Sequence, residues 1–190
     1  MFGASGWRRV QETVILKRND MRWTKLKSKI ESRFCDSMKK RVSINSTRYG
    51  ACTCGHAWIT LDKKLIANFC TRAFWNTNPV FDEKTGRWVH GEMINEKNKK
   101  YDNLKNTYGE LSRQDVYESC WAYIHDLSIE QAVLSDNPLI QSLAMIDKRL
   151  GKRKIKEIDI KLLHPLANRL LKERIEAEKI NVKESNEISS

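Results

Sequence analysis

Residues 41–69 read RVSINSTRYGACTCGHAWITLDKKLIANF, and the fold is decided inside this stretch. Between Arg41 and Ser46, Val42 and Ile44 alternate with polar neighbours, the period-two pattern of a half-buried strand. Ala57–Leu61 and Leu65–Phe69 then flank Asp62, Lys63 and Lys64, a hairpin whose register depends on loop length. A two-residue loop sets Ile59 opposite Asn68 and mixes apolar with polar groups on one face. A three-residue loop aligns Leu61 with Leu65, Ile59 with Ala67 and Ala57 with Phe69, so that one face becomes uniformly apolar. The second register is expected, although it leaves Lys64 where glycine is preferred.

Upstream, Trp23, Leu26, Ile30, Phe34 and Met38 recur at spacings of three and four, which predicts an amphipathic helix over Met21–Met38. Residues 1–20 show no such stripe and read as a disordered arm or a misassigned start. Arg18 and Asn19 can be encoded by a bacterial ribosome-binding sequence, which favours a start at Met21. Downstream, Asn76–Asn106 is polar and reads as a long loop with one short strand at Arg87–His90. A helical half follows. Ser112 with Asp115 forms a capping pair ahead of the stripe Val116, Cys120, Tyr123, Ile124 and Leu127, and Ser128 with Gln131 opens a short second helix. Asn137 as cap, Pro138 at the first helical position and the stripe Leu139, Leu143, Ile146 and Leu150 predict a helix terminated by Gly151. Ile158, Ile160 and Leu162 alternate as a strand does, a last helix spans Pro165 to about Lys179, and residues 181–190 read as a disordered tail. The fold class is therefore α+β: one domain over 21–180, an N-terminal helix on a small antiparallel sheet from 41–75, then a C-terminal helical half.

The chain has 190 residues, 40% hydrophobic and 31% charged, with 3 Pro and 8 Gly, which excludes collagen-like and low-complexity architectures. No apolar run approaches the roughly 18 residues of a membrane helix, so no membrane partner is expected. Five cysteines at 35, 52, 54, 70 and 120 have no framework spacing, and Thr13–Leu16 is too short for a signal-peptide core. Reduced thiols in a cytoplasm are the expectation. A net charge of +11 points toward polyanions.

Three constellations could carry chemistry. Cys52, Cys54 and His56 share strand parity, and the chosen register sets His56 opposite Cys70, so three thiols and an imidazole could converge on zinc. In a straight strand, residues two apart are separated by about 6.5–7 Å, too far for shared ligation unless the chain turns at Gly50 or Gly55. Buried thiols packed beside Trp58 are the alternative, and neither metal nor cofactor is expected. The same region holds Arg48, Tyr49, His56 and Arg72, a candidate anion pocket in which guanidinium forks bind phosphate or carboxylate while His56 exchanges a proton. No serine or carboxylate is spaced to complete a nucleophilic triad. The third constellation is basic: Lys148, Arg149, Lys152, Arg153, Lys154 and Lys156, with Asp147 and Glu157 only at its edges, while Arg22, Lys25, Lys27 and Lys29 decorate the first helix opposite its apolar stripe. Such runs can neutralise phosphates without sequence preference.

Met21–Lys27, the segment Arg41–Phe69 with its Ser46-Thr47-Arg48-Tyr49-Gly50 and Cys52-x-Cys54-Gly55, and the run from Asn137-Pro138-Leu139-Ile140 to Lys154 together resemble a family of small bacterial proteins catalogued under an enterobacterial locus tag rather than by an activity. The resemblance strengthens the expectation of a start at Met21 and supplies no activity, ligand or catalytic residue to carry over. The leading expectation is a non-catalytic nucleic-acid-binding protein using the 148–156 cluster. The alternative is an interaction subunit of a larger bacterial complex, anchored by Trp75 and Trp88 around the 76–106 loop. A small enzyme or zinc site at Cys52, Cys54, His56 and Cys70 is the third.

Overall fold

The computed structural model describes residues 21–50, 54–71, 74, 80–82, 87–89 and 111–181. Its first helix, α1 (Trp23–Arg33), buries Leu26 and Ile30. The helix is shorter than its apolar spacing predicts. At Phe34 the backbone turns extended (φ −60°, ψ 142°) and forms an antiparallel bridge with Asp147, in which Cys35 N–H donates to Ile146 O at 2.8 Å and Lys148 N–H to Arg33 O at 2.8 Å. Phe34 and Met38 are still buried, but through this bridge and the turn that follows it, a long-range pairing that helical spacing does not reveal.

Three strands, β1 (Val42–Arg48), β2 (Gly55–Leu61) and β3 (Lys64–Cys70), form an antiparallel sheet in the order β1-β2-β3. The β2–β3 connection corrects the expected three-residue loop. It is a two-residue turn, with Leu61 opposite Lys64 and positive φ at Asp62 (48°) and Lys63 (66°), as a type I′ turn requires. Arg41 fastens Asp62 through bonds from Nε and Nη2, the shorter 2.7 Å, and reaches Glu173 at 2.8 Å with the same group. The residue missing from the turn is recovered as a bulge. Thr60 pairs with Leu65, the register then shifts, and Ile59 pairs with Ala67, Ala57 with Phe69 and His56 with Cys70. Ile66 is the extra residue, and the bulge lets the consecutive Ile66 and Ala67 both be buried. Val42, Ile44, Ala57, Ile59, Ala67 and Phe69 thus build the apolar face.

The helical half follows its caps. Helix α2 (Arg113–His125) starts in a capping box between Ser112 and Asp115, and α3 (Ile129–Val133) in another between Ser128 and Gln131. Before α4 (Pro138–Met145), Asn137 Oδ1 accepts from Leu139 N–H at 3.0 Å and Ile140 N–H at 3.1 Å. All eight residues of α4 are buried, so it is an internal helix surrounded by α2, α3 and α6 (Pro165–Glu178). Helix α2 also touches α1, β2 and β3 and so joins the sheet to the helices. The helix expected to reach Leu150 stops at Met145, because Ile146–Lys148 bridges to α1. Gly151 (φ −68°) is not its terminator but the N-cap of a one-turn helix, α5 (Lys152–Ile155). The alternating segment expected to be a strand is instead a 3₁₀ turn, Ile160–Leu162, opened by Asp159 accepting from Lys161 N–H. The short strand anticipated at 87–90 is β5 (Arg87–Val89), paired with β4 (Val80–Asp82). One buried apolar cluster runs from Leu26 to Ile180.

Candidate functional site

The constellation at the open end of the first hairpin divides between the two faces of the sheet. Arg48 pairs with Gly55, in phase with Ile44 and Ala57 on the core side, whereas Thr47, His56 and Cys70 lie opposite one another on the other side. Arg48 and His56 therefore do not share a pocket. What His56 meets is Asn68, whose Oδ1 pairs with its Nε2, and Trp58, on which it stacks at 4.8 Å. Burial lowers the His56 pKa below 6.5, against the opposing effect of the Asn68 bond. Tyr49 Oη and Cys70 Sγ are 2.9 Å apart, and Tyr49 N–H donates to Cys54 O at 3.1 Å across the hairpin end. Cys52 and Arg72 lie outside the described residues. Among the described residues, no three His, Cys, Asp or Glu side chains are grouped to hold a metal ion.

On the core side of the same end stands a residue the sequence reading passed over. Arg113, 8% exposed, lies across Gly55 and donates from Nε to Ser46 Oγ at 2.9 Å. A Cβ on Gly55 would sit 2.2 Å from Thr47 O and 2.3 Å from Arg113 Cδ, so glycine is required there for space. Burial, and then the neighbouring Arg48, lower the Arg113 pKa. Gly55 N–H donates to Thr71 Oγ1 at 3.2 Å, and that hydroxyl donates to Gln114 Oε1 at 2.7 Å. This end of the hairpin is thereby pinned to the first turn of α2.

The basic run from 148 to 156 is exposed, but several of its cations have carboxylate partners. Arg149 grips the fully buried Asp147 through Nε and Nη2 at 2.7–3.1 Å. The Tyr123 hydroxyl donates to the same carboxylate, and the guanidinium groups of Arg33 and Arg149 lie 5.3 and 5.7 Å from the centre of the Tyr123 ring. Lys154 pairs with Glu130 at 2.6 Å, Lys152 reaches Glu178 at 3.9 Å and Arg153 reaches Glu157 at 3.6 Å. Asp147 and Glu157, expected at the edges of the cluster, are partners inside it. Lys156 is exposed.

The cationic side of α1 differs. Arg22, Lys25 and Lys29 recur at spacings of three and four on one stripe, and none has a carboxylate within ion-pair distance among the described residues. Lys148 Nζ extends the stripe by donating to Ser32 O at 3.0 Å. Beside it, Thr24, Ser28, Ser32, Lys27 and Lys39 line a depression of about 380 Å³ with Glu31. Lys27 is held inward by Ser43, Asn45 and Glu31.

Two arginines serve the helix ends. Arg33 donates to Tyr123 O and Ile124 O at 2.7 Å, at the carboxyl end of α2. Arg174, 3% exposed, donates to Met145 O at 3.0 Å, Asp147 O at 2.9 Å and Leu150 O at 2.9 Å beyond the end of α4, and its Nε meets Glu178 at 2.9 Å. Both place a cation where helix carbonyls lack intrahelical donors.

An N-terminal helix on a three-stranded antiparallel sheet, joined through α2 to a helical half around an internal helix, defines the class as α+β. The chain belongs to the SF0329 protein family, whose pattern matches residues 22–175. Neither a curated protein nor a solved structure matches it. Among the described residues no helix is long and apolar enough to cross a membrane.

Proposed function

We propose that the protein binds nucleic acid without catalysing a reaction on it, and that the cationic stripe of Arg22, Lys25 and Lys29 along α1, extended by Lys148, makes the principal contact. The observation that carries this reading is the contrast between two basic surfaces. In the 148–156 run Arg149, Lys152, Arg153 and Lys154 each have a carboxylate partner, whereas Arg22, Lys25 and Lys29 have none among the described residues. Phosphate binding gains most from cations that need not first give up a carboxylate, and hydroxyls such as those of Thr24 and Ser28 are common phosphate donors. The alternation of Arg and Lys with hydroxyl residues suits backbone contact. Single-strand stacking would call for aromatic side chains interleaved with the cations, and this stripe has none.

Fluorescence anisotropy with a labelled 20-base-pair duplex, measured across a salt series, tests the reading. Lys25→Glu with Lys29→Glu should lower the magnitude of the salt slope by about two, because each phosphate contact contributes close to one. Lys152→Glu with Lys154→Glu should change it less. Wild-type binding that ignores salt, or a larger loss from the second pair, would overturn the assignment.

A further inference from the structure

In the helical half, α3 and the segment after α5 line an apolar groove of about 690 Å³. Its floor includes Ile129 and Leu150, and its two lips are Leu134, 82% exposed, and Leu162, 79% exposed. These are the two most exposed large hydrophobic side chains among the described residues, and they border the same cavity although 28 positions apart in the chain. Capping does not explain their exposure: Leu134 follows α3 and Leu162 ends the 3₁₀ turn, where a polar residue would serve equally well. Paired apolar lips around an apolar floor are characteristic of an interaction site.

The rim supplies the second half of the argument. Four carboxylates, from Glu130, Asp136, Glu157 and Asp159, line the groove, and among the described residues Lys154 is the only cation lining it. Lys154 is already committed to Glu130 at 2.6 Å and Glu157 to Arg153 at 3.6 Å, which leaves Asp136 and Asp159 as the carboxylates without a cation partner among the described residues. On a chain of net charge +11, this is a local reversal of sign at the place where apolar surface is uncovered. Such a rim repels phosphate and attracts lysine and arginine.

We infer that this groove docks a short basic amphipathic helix of a partner protein. The helix lays apolar residues spaced i, i+3 or i+4, and i+7 between Leu134 and Leu162 and sets flanking Lys or Arg side chains against Asp136 and Asp159. The site is separate from the cationic stripe of α1 and does not depend on the function proposed for it.

The probe is a 14-residue Leu/Lys amphipathic peptide, with a Leu/Glu peptide of the same pattern as its charge-reversed control. Methyl-resolved NMR of the full-length protein should show saturable shifts at Leu134 and Leu162 with the Lys peptide. Affinity should fall at least tenfold for the Glu peptide, and at least tenfold for Leu134→Glu with Leu162→Glu. Both leucines are exposed, and circular dichroism verifies that the double variant is folded. Absence of saturable binding, shifts centred elsewhere, or affinity indifferent to the leucine variants would overturn the inference. Sedimentation supplies a further outcome: a wild-type dimer made monomeric by Leu134→Glu would mean that the groove is filled by a second copy, and would also overturn it.

Discussion

Replacing Arg174 by Met tests how the internal helix is held. The apolar stem stays close in length, so packing changes little, while four hydrogen bonds from the guanidinium are lost. Asp147 O keeps the Leu150 N–H at 3.0 Å, and Glu178 keeps Ser37 at 3.0 Å, so the loss falls mainly on the carbonyls of Met145 and Leu150. A bond from a charged donor to a buried acceptor contributes about 1.5–3 kcal/mol. Two of them, less the relief of no longer desolvating a guanidinium, come to about 4 kcal/mol. For a chain of this size that lowers Tm by about 8–16 °C. Urea unfolding followed by far-UV circular dichroism should show this loss with an unchanged m-value. Arg174→Lys, which cannot span three carbonyls, should lose about half as much. A Met variant within about 1 kcal/mol of wild type would refute the reasoning, because the carbonyls would then have found other donors.

Gly55→Ala should destabilise by about 3 kcal/mol in the same assay, and Arg113→Ala should not rescue it, since the clash with the Thr47 carbonyl remains. For His56, burial lowers the folded pKa below 6.5, so the unfolded chain takes up a proton more readily than the folded one. The resulting stability is complete above pH 6.5 and falls as the pH drops through the lowered folded value. The His56 ring resonances should titrate with a midpoint below 6.5, and His56→Gln should flatten that part of the stability curve; a midpoint at or above 6.5 contradicts the argument. Cys35, Cys70 and Cys120 are buried, and burial raises the pKa of Cys35 and Cys120. In a Cys52→Ser background, a thiol-reactive dye should therefore label at most Cys54 quickly in the native protein and four thiols after unfolding; rapid labelling of a second thiol would contradict the burial.

Local signals in the sequence were the reliable ones. The caps at Ser112, Ser128 and Asn137 are each complete within four residues, and each opens a helix as expected. The hairpin register from Ile59 onward was also legible, because one buried face leaves little choice of parity. Features that depend on distant residues were hidden. The Asp62-Lys63 turn lacks the usual glycine or asparagine, and Asp62 is held by Arg41, 21 positions away. The end of α1 is set by a bridge to Asp147. At the candidate sites, composition displayed the cations of 148–156 but not Glu130 and Glu178, which approach from 24 and 26 positions away. Strand parity separates Arg48 from His56 and could have been applied to the anion pocket at once. The groove between Leu134 and Leu162 has no periodic signature in the sequence.

The tie between Arg174 and the end of α4 also bears on biosynthesis. A ribosome delivers α4 well before Arg174, so the emerging helix has no guanidinium for its terminal carbonyls and no α6 against one of its sides. Translation must proceed through the last helix before the interior closes. Nascent chains stalled with Pro165 still inside the exit tunnel should therefore remain protease-sensitive, and those that have released Glu178 should become resistant.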